Sequence, residues 1–251
     1  PEGTKEELAK VKDLLGSYTT NYSTSSAGRC ANISVAAGKI NGTVLYPGEE
    51  FSVGQTIGPL TAAGGYELAG AYENGQTVQS YGGGVCQVST TLYNAVLKAE
   101  LEVTQRSNHS MIVTYVKPSM DAAIAGDYKD LVFENDTDAP IYVQGIYNSG
   151  GSITFNIYGH DTRKAGHSVK YESKTVKTTP VKTQTKKDSS KPVGYSEVES
   201  SGHVGYVAEL WKITQTKEFP LKRGQRLRLL DYHFWLTQDN KVLYLDESNE
   251  S

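Results

Sequence analysis

Cysteine is scarce in this chain: only Cys30 and Cys86 occur in 251 residues. Two cysteines exclude a disulfide framework, and neither belongs to a Cys-x-x-Cys metal pattern. A single bridge between them would need close Cα atoms, but Cys30 falls in a separate helical pattern, so two free thiols are expected. Excess positive charge is also missing. The net charge is −3, which argues against a nucleic-acid surface. No apolar run approaches the ~20 residues that span a bilayer, and the N-terminus lacks a signal pattern. A start at Pro1-Glu2-Gly3 without Met fits the soluble part of an extracytoplasmic protein whose leader has been removed. Membrane contact is then expected only through a segment outside this chain. Trp (2) and Phe (5) are few, whereas Tyr (17) and Gly (25) are plentiful, which tilts the chain toward strands and turns.

What is present centres on Tyr81-Gly82-Gly83-Gly84-Val85-Cys86-Gln87-Val88-Ser89. Three glycines run into a helical pattern carried by Val85, Val88, Leu92 and Val96. Cys86 would sit in the first turn of that helix, where unpaired N–H groups and the helix dipole favour a thiolate. Glycines let the backbone approach a bound molecule closely. A Gly-rich turn before a core helix with one buried Cys would look the same on this stretch alone. A phosphate loop is rejected, because no Lys-Ser/Thr pair follows the glycines.

The expected fold class is α+β: N-terminal helices and a Cys-bearing helix packed on an antiparallel sheet, followed by a small, mostly β C-terminal extension. Thr4 to Glu7 fits a capping box for a helix with Leu8, Val11 and Leu15 on one face, ending near Gly16. Ser17 to Ala27 reads as a loop or edge strand. A second helix runs from Gly28 to Asn41, with Ile33, Ala36, Ala37 and Ile40 inward, and a strand from Thr43 to Tyr46 follows. Another strand starts at Glu50, and residues 54–84 read as hairpins or an extended loop. The Cys helix extends to about Glu100. Met111–Val116, Leu131–Phe133, Ile141–Tyr147 and Ile153–Tyr158 read as strands, the last two as a hairpin.

Residues 173–192 carry six Lys against one Asp among polar residues and read as a linker or solvated ribbon. Tyr206–Ile213, Leu227–Leu230, Phe234–Thr237 and Val242–Leu245 are further strands, with a turn at Asp239-Asn240-Lys241. The expected organisation is a lead-in segment (1–25), a main domain (26–172), the basic linker (173–192) and a β extension (193–251).

A thiolate nucleophile needs a base. His109 follows Cys86 by 23 residues and is expected at the start of the strand Met111–Val116, facing the Cys helix. Asp121 or Asp130 could orient its imidazole, with Asp127 a weaker candidate. Arg106 and Lys117 flank the His segment and could bind a substrate carboxylate. A zinc site from Cys86, His109 and His160 matches no familiar ligand spacing, and no metal or cofactor is expected.

Several segments together resemble the VanW-like domain family of bacterial cell-envelope proteins. They are Asn32-Ile33 with Ala36-Ala37, Ile40-Asn41-Gly42-Thr43-Val44-Leu45 and Pro47-Gly48-Glu49-Glu50-Phe51-Ser52. Then come Ile57-Gly58-Pro59, Gly65-Tyr66, the Gly82–Asn94 run, Asn108-His109-Ser110, Asp121-Ala122 and Asp130-Leu131-Val132-Phe133 with Asn135. The resemblance covers roughly Ser26 to Tyr158 and implies L,D-transpeptidation of peptidoglycan. By that resemblance Cys86 attacks the carbonyl of the diamino acid at position 3 of a stem tetrapeptide and releases D-Ala, His109 takes the thiol proton and later assists the incoming amine, and the amine of a second stem accepts the acyl group. Cys86, His109, Asp121 and Asp130 are the implied catalytic set. Gly83, Gly84, Gln87, Ser89, Arg106 and Ser110 are the implied oxyanion and substrate contacts, with the Cys86 or Gln87 N–H or the glycine turn holding the oxyanion. The implied partners are the tetrapeptide donor and the amine acceptor in the cell envelope. A thiol amidase or endopeptidase on the same polymer, and a non-catalytic wall-binding module with a structural Cys86, are the competing readings.

Overall fold

The structure is a computed structural model. It describes residues 3–73, 76–198 and 202–215, together with the strands at 227–229, 232–236 and 242–245. The Thr4–Glu7 capping box forms as expected, but helix α1 (Lys5–Leu8) lasts a single turn. The chain then enters strand β1 (Asp13–Asn21) instead of continuing helical through Leu15. The 3.6-residue spacing of Leu8, Val11 and Leu15 is overridden by an open sheet edge, which offers residues 13–21 a full ladder of hydrogen bonds. Helix α2 (Ala27–Ile40) is capped by Ser26 and buries Ile33, Ala36, Ala37 and Ile40. Strands β2 (Thr43–Leu45) and β3 (Glu50–Ser52) follow.

Val53, expected to extend β3, instead opens a short helix α3 (Val53–Ile57) capped by Ser52. Strands β4 (Leu68–Glu73) and β5 (Gln76–Tyr81) form a hairpin that leads through the glycines into α4 (Val85–Ala99). Strands β6 (Glu102–Gln105) and β7 (Val132–Glu134) frame a long connection. Within it, Met111–Val116 is not a strand, contrary to expectation. Its β-rich residues form no ladder, and composition alone does not make a strand. Strands β8 (Ile141–Asn148) and β9 (Ser152–Gly159) form the expected hairpin.

The main sheet has the order β1-β9-β8-β2, and a second sheet is ordered β3-β7-β6. All the strand pairs in both sheets are antiparallel. Helices α2 and α4 pack on the main sheet through Ile33, Ile40, Val88, Leu92 and Val96, against Phe155, Ile157 and Val143. Together with these helices, the sheets give the α+β class expected from the sequence. Gly16 sets how closely α4 approaches β1. A Cβ there would lie 2.3 Å from the Ala95 carbonyl oxygen and 2.4 Å from the Ala99 nitrogen. Residues 13–21 therefore belong to the main sheet, so the boundary expected at 25/26 falls after a strand that the domain needs.

The basic stretch is partly a ribbon. Strand β10 (Ser168–Thr179) pairs antiparallel with β11 (Gly205–Gln215), and residues 180–198 are irregular and exposed. The expected boundary at 172/173 thus falls inside β10. The extension ends in a sheet of β12 (Leu227–Leu229), β13 (Tyr232–Leu236) and β14 (Val242–Leu245). The expected turn at Asp239–Lys241, and Leu230 and Thr237, lie outside the described residues. Among the described residues no helix is long and apolar enough to cross a membrane.

Candidate active site

The glycine turn builds the start of α4. Gly82 and Gly84 have φ of +78° and +112°, a region in which side chains are strained. Gly83 lies so near β4 that a Cβ would meet the Ala69 and Gly70 carbonyl oxygens at 2.7 and 2.8 Å. Gly84 is the N-cap, and no side chain caps the helix. The first backbone donors of α4 therefore need other partners. The Val85 N–H donates to Gly82 O at 3.0 Å and the Gln87 N–H to Gly84 O at 2.9 Å. The Gly82 and Gly83 N–H groups donate to Glu67 O and Ser80 O at 3.3 and 3.4 Å. Among the described residues, the Gly84 and Cys86 N–H groups have no acceptor. Of the backbone donors expected to hold an oxyanion, Gln87 and Gly83 are thus committed, and Gly84 and Cys86 stay open.

Cys86 lies in the first turn and is a partly buried free thiol, as is Cys30. Its sulfur sits between the two backbone polar groups of one residue: Sγ donates to Ile124 O at 3.4 Å, and the Ile124 N–H donates to Sγ at 3.5 Å. His109 comes from the irregular connection rather than from a strand start, yet it reaches the same place. Its ring hydrogen-bonds Asp121 and lies close enough to Cys86 for the two to interact electrostatically. The Nδ1–Asp121 Oδ2 distance is 2.7 Å, and the His109 backbone N–H donates to the same oxygen at 2.7 Å. The imidazole is 9 % exposed, which keeps water from competing for its partners. Burial works against its charge, but the interactions with Asp121 and Cys86 outweigh this and raise the His109 pKa to about 9. Burial also opposes the Asp121 charge, and His109 and Arg106 overcome it, so the carboxyl is held below its ordinary value.

Asp121 is therefore the carboxylate brought to the imidazole, and Asp130 is not. The Asp130 carboxylate accepts from Ser52 Oγ at 2.5 Å, Gly54 N at 2.7 Å and Leu131 N at 2.7 Å, tying α3 to β7. Arg106 faces inward as well. Its Nε donates to Asp121 O at 2.7 Å and its NH2 to Asp121 Oδ1 at 2.8 Å, with the guanidinium 5.7 Å from the Tyr93 ring. This is a bidentate brace on Asp121 rather than an open carboxylate receptor. Ser89, also expected as a substrate contact, is fully buried and donates to Cys86 O at 3.1 Å and Ala122 O at 2.6 Å. With Thr90 on Ala122 and Asn94 Nδ2 on Met120 O at 2.7 Å, it clamps the segment carrying Asp121 onto α4. Ser110 is exposed and does not line the site.

A cavity of about 610 Å³ opens over Cys86 and His109, walled by the glycine turn, the β4–β5 hairpin, residues 113–115 and 124–126, and Tyr128. Two lining residues were not singled out from the sequence. Tyr115 is half-buried, which pushes its hydroxyl pKa up, and Cys86 and Arg29 also act on that hydroxyl. Arg29, in the first turn of α2, donates from NH2 to Gln87 Oε1 at 2.7 Å. No motif marks either residue, since each is recruited from a distant element. The buried Gln87 side chain, held to Thr20 Oγ1 and Asn21 O, fixes Arg29 and does not line up with the free N–H groups. His160 pairs instead with Asp138 at 3.3 Å, and among the described residues no group of three or more His, Cys, Asp or Glu could hold a metal ion.

Similar proteins bear on the same segments. The chain is 37% identical over 162 residues to the uncharacterized protein YoaR of Bacillus subtilis, covering 64% of this chain and 53% of that one. It is 32% identical over 113 residues to the vancomycin B-type resistance protein VanW of Enterococcus faecalis, covering 43% of this chain and 41% of that one. The chain thus spans about half the length, or less, of these curated relatives. No solved structure matches it. Residues 28–158, which hold Cys86, His109 and Asp121, match the family described as VanW like protein, and the chain belongs to that family.

Proposed function

We propose that the chain is a cysteine-dependent L,D-transpeptidase that forms 3–3 cross-links between peptidoglycan stems in the cell envelope. The observation that carries this reading is the cluster at the start of α4. There the Cys86 sulfur meets a hydrogen-bonded His109–Asp121 pair beside two unused backbone donors. The resistance function in the name of one relative fits a cell-wall substrate.

The sequence of steps follows from that cluster. The Cys86 proton passes to His109, and the Ile124 N–H stabilises the charge that develops on sulfur. The sulfur attacks the carbonyl of the third stem residue, and the Gly84 and Cys86 N–H groups receive the oxyanion. Protonated His109, stabilised by Asp121, gives its proton to the departing D-Ala nitrogen as the C–N bond breaks, leaving a thioester. A second stem's amine then attacks the thioester, loses a proton to His109 and displaces Cys86 as the thiol. Hydrolysis would instead use water at that last step.

Incubation with disaccharide-tetrapeptide, read by product mass, tests the reading. A dimer that has lost D-Ala is the expected product, and Cys86→Ala should abolish it. Addition of water without dimer would identify a hydrolase, and dimer formation that survives Cys86→Ala would sink the thiol mechanism.

A further inference from the structure

Resting on this acyl-transfer reading, we infer that Arg29 is the residue that recognises a substrate carboxylate in the cavity, on a donor residue adjacent to the scissile carbonyl. Arg29 is held by neutral groups. NH1 donates to Ser25 Oγ at 2.8 Å and NH2 to Gln87 Oε1 at 2.7 Å. Among the described residues no carboxylate pairs with it, whereas Arg106 pairs with Asp121 and Arg163 with Asp161. Two neutral acceptors orient the guanidinium without neutralising it, and they occupy two of its five N–H donors. Gln87 is itself fixed by Thr20 and Asn21, so the orientation is set from the protein side.

The cavity has the complementary charge balance. Among the described residues its lining includes Arg29 and His109 and no Asp or Glu. A carboxylate is the group that such a wall lacks and that a planar guanidinium binds in fork geometry. Distance along a peptide decides which carboxylate fits. A Cβ on Gly84 would lie 2.9 Å from Arg29 Cγ, so the Arg29 stem packs on the turn that presents the free Gly84 N–H. The charge of Arg29 also acts on the Tyr115 hydroxyl, as does Cys86. The Arg29 side chain therefore lies beside the turn that carries the open donors. One residue spans at most ~3.6 Å, so the best-matched carboxylate belongs to the residue released as the thioester forms. In a tetrapeptide donor this is the C-terminal carboxylate of D-Ala; the free carboxylate of the diamino acid, at the far end of its side chain, is the alternative that amidated probes test.

The test separates binding from chemistry. The Cys86→Ala protein is titrated calorimetrically with three probes: the stem tetrapeptide, its C-terminal amide, and the peptide amidated at the diamino acid. One amide is expected to bind about 10- to 100-fold more weakly than the acid, which identifies the carboxylate. Arg29→Gln in the same background should erase that difference, and Arg29→Lys should keep part of it. The amide comparison uses intact Arg29, so it stands even if Arg29→Gln fails to fold. Equal binding of all three peptides, or discrimination that persists in a folded Arg29→Gln protein, overturns the inference. Cross-linking by the Cys86 protein is read in parallel. Discrimination without turnover would reject the transpeptidase reading and keep Arg29 as an anion receptor. Turnover without discrimination would do the reverse.

Discussion

At the scale of single residues, His109 joins the elements of the site, and its environment gives a pH signature. Its pKa is raised from 6.5 to about 9, chiefly through Asp121 and Cys86 acting against burial. A group raised on folding stabilises the fold fully below its unfolded value and loses that contribution as pH climbs through the folded one. The His109–Asp121 contribution is thus complete at pH 6.5 and fades toward pH 9. At the acid end Asp121, held below its ordinary 3.8, contributes above that value and is lost as pH falls through the lowered one. The same titration governs turnover, because a protonated His109 is the donor to the leaving amine. The kcat/KM profile is expected to fall on its alkaline side near pH 9. Asp121→Asn removes the carboxylate that raises the pKa, so the alkaline limb should move down toward pH 6.5, with activity lowered by about 10²–10⁴-fold. A pH–rate profile of both proteins checks this, and an unmoved limb would remove Asp121 from the assignment. Asp130→Asn should leave the limb where it is, because that carboxylate serves Ser52 and Gly54 instead.

At the scale of elements, α4 is the piece on which the site depends. It is buried along most of its length, and its polar residues carry as much of the architecture as its apolar ones. Ser89, Thr90 and Asn94 hold the Asp121 segment, while Thr91 and Gln87 reach β1. The close approach of β1 to this helix rests on Gly16. Gly16→Ala is expected to cost about 1–3 kcal/mol, because the new methyl meets backbone rather than a movable side chain. Urea denaturation measures that loss, and a change below about 0.5 kcal/mol would mean that α4 can shift at little cost. The adjacent Leu14, which is exposed, should tolerate Ala far better.

At the scale of the whole molecule, the β10–β11 ribbon is anchored to the C-terminal end of α4 by one carboxylate. Glu100, at φ +63°, accepts from His167 Nε2 at 2.5 Å and pairs with Lys212 at 2.7 Å. Tyr171 adds a hydrogen bond to Leu97 O at 2.8 Å and Ser173 one to Pro118 O at 2.5 Å. Burial opposes the Glu100 charge, but Lys212 and His167 hold its pKa below the ordinary 4.5, so the Glu100 charge that makes this anchor is lost only in acid. Glu100→Gln is expected to speed amide exchange in β10 by about 10-fold or more while leaving the core of α4 protected. Hydrogen-exchange mass spectrometry reads both, and equal protection of β10 in the two proteins would assign the docking to Tyr171 and Ser173 instead.

What the sequence determined by itself was local. The helix start at Val85 with Cys86 in its first turn, the α2 face and the β8–β9 hairpin follow from glycines, caps and periodicity within a few residues. The VanW-like family is legible for the same reason, since its longest matching run is contiguous. Only tertiary structure decided what depends on partners far along the chain. Residues 13–21 became a strand by pairing with β9, and Met111–Val116, which pairs with no strand among the described residues, did not. Asp121 and Asp130 look alike in sequence, and packing turned one to His109 and the other to α3. Ser89, Arg106 and Gln87 carry polar groups near the nucleophile in sequence, yet the fold uses those groups to hold backbone and neighbouring side chains. Arg29 entered the cavity because α2 and α4 meet at the glycine turn. Hydrogen-bond partners and open donors are properties of three-dimensional neighbours, and spacing along the chain does not encode them.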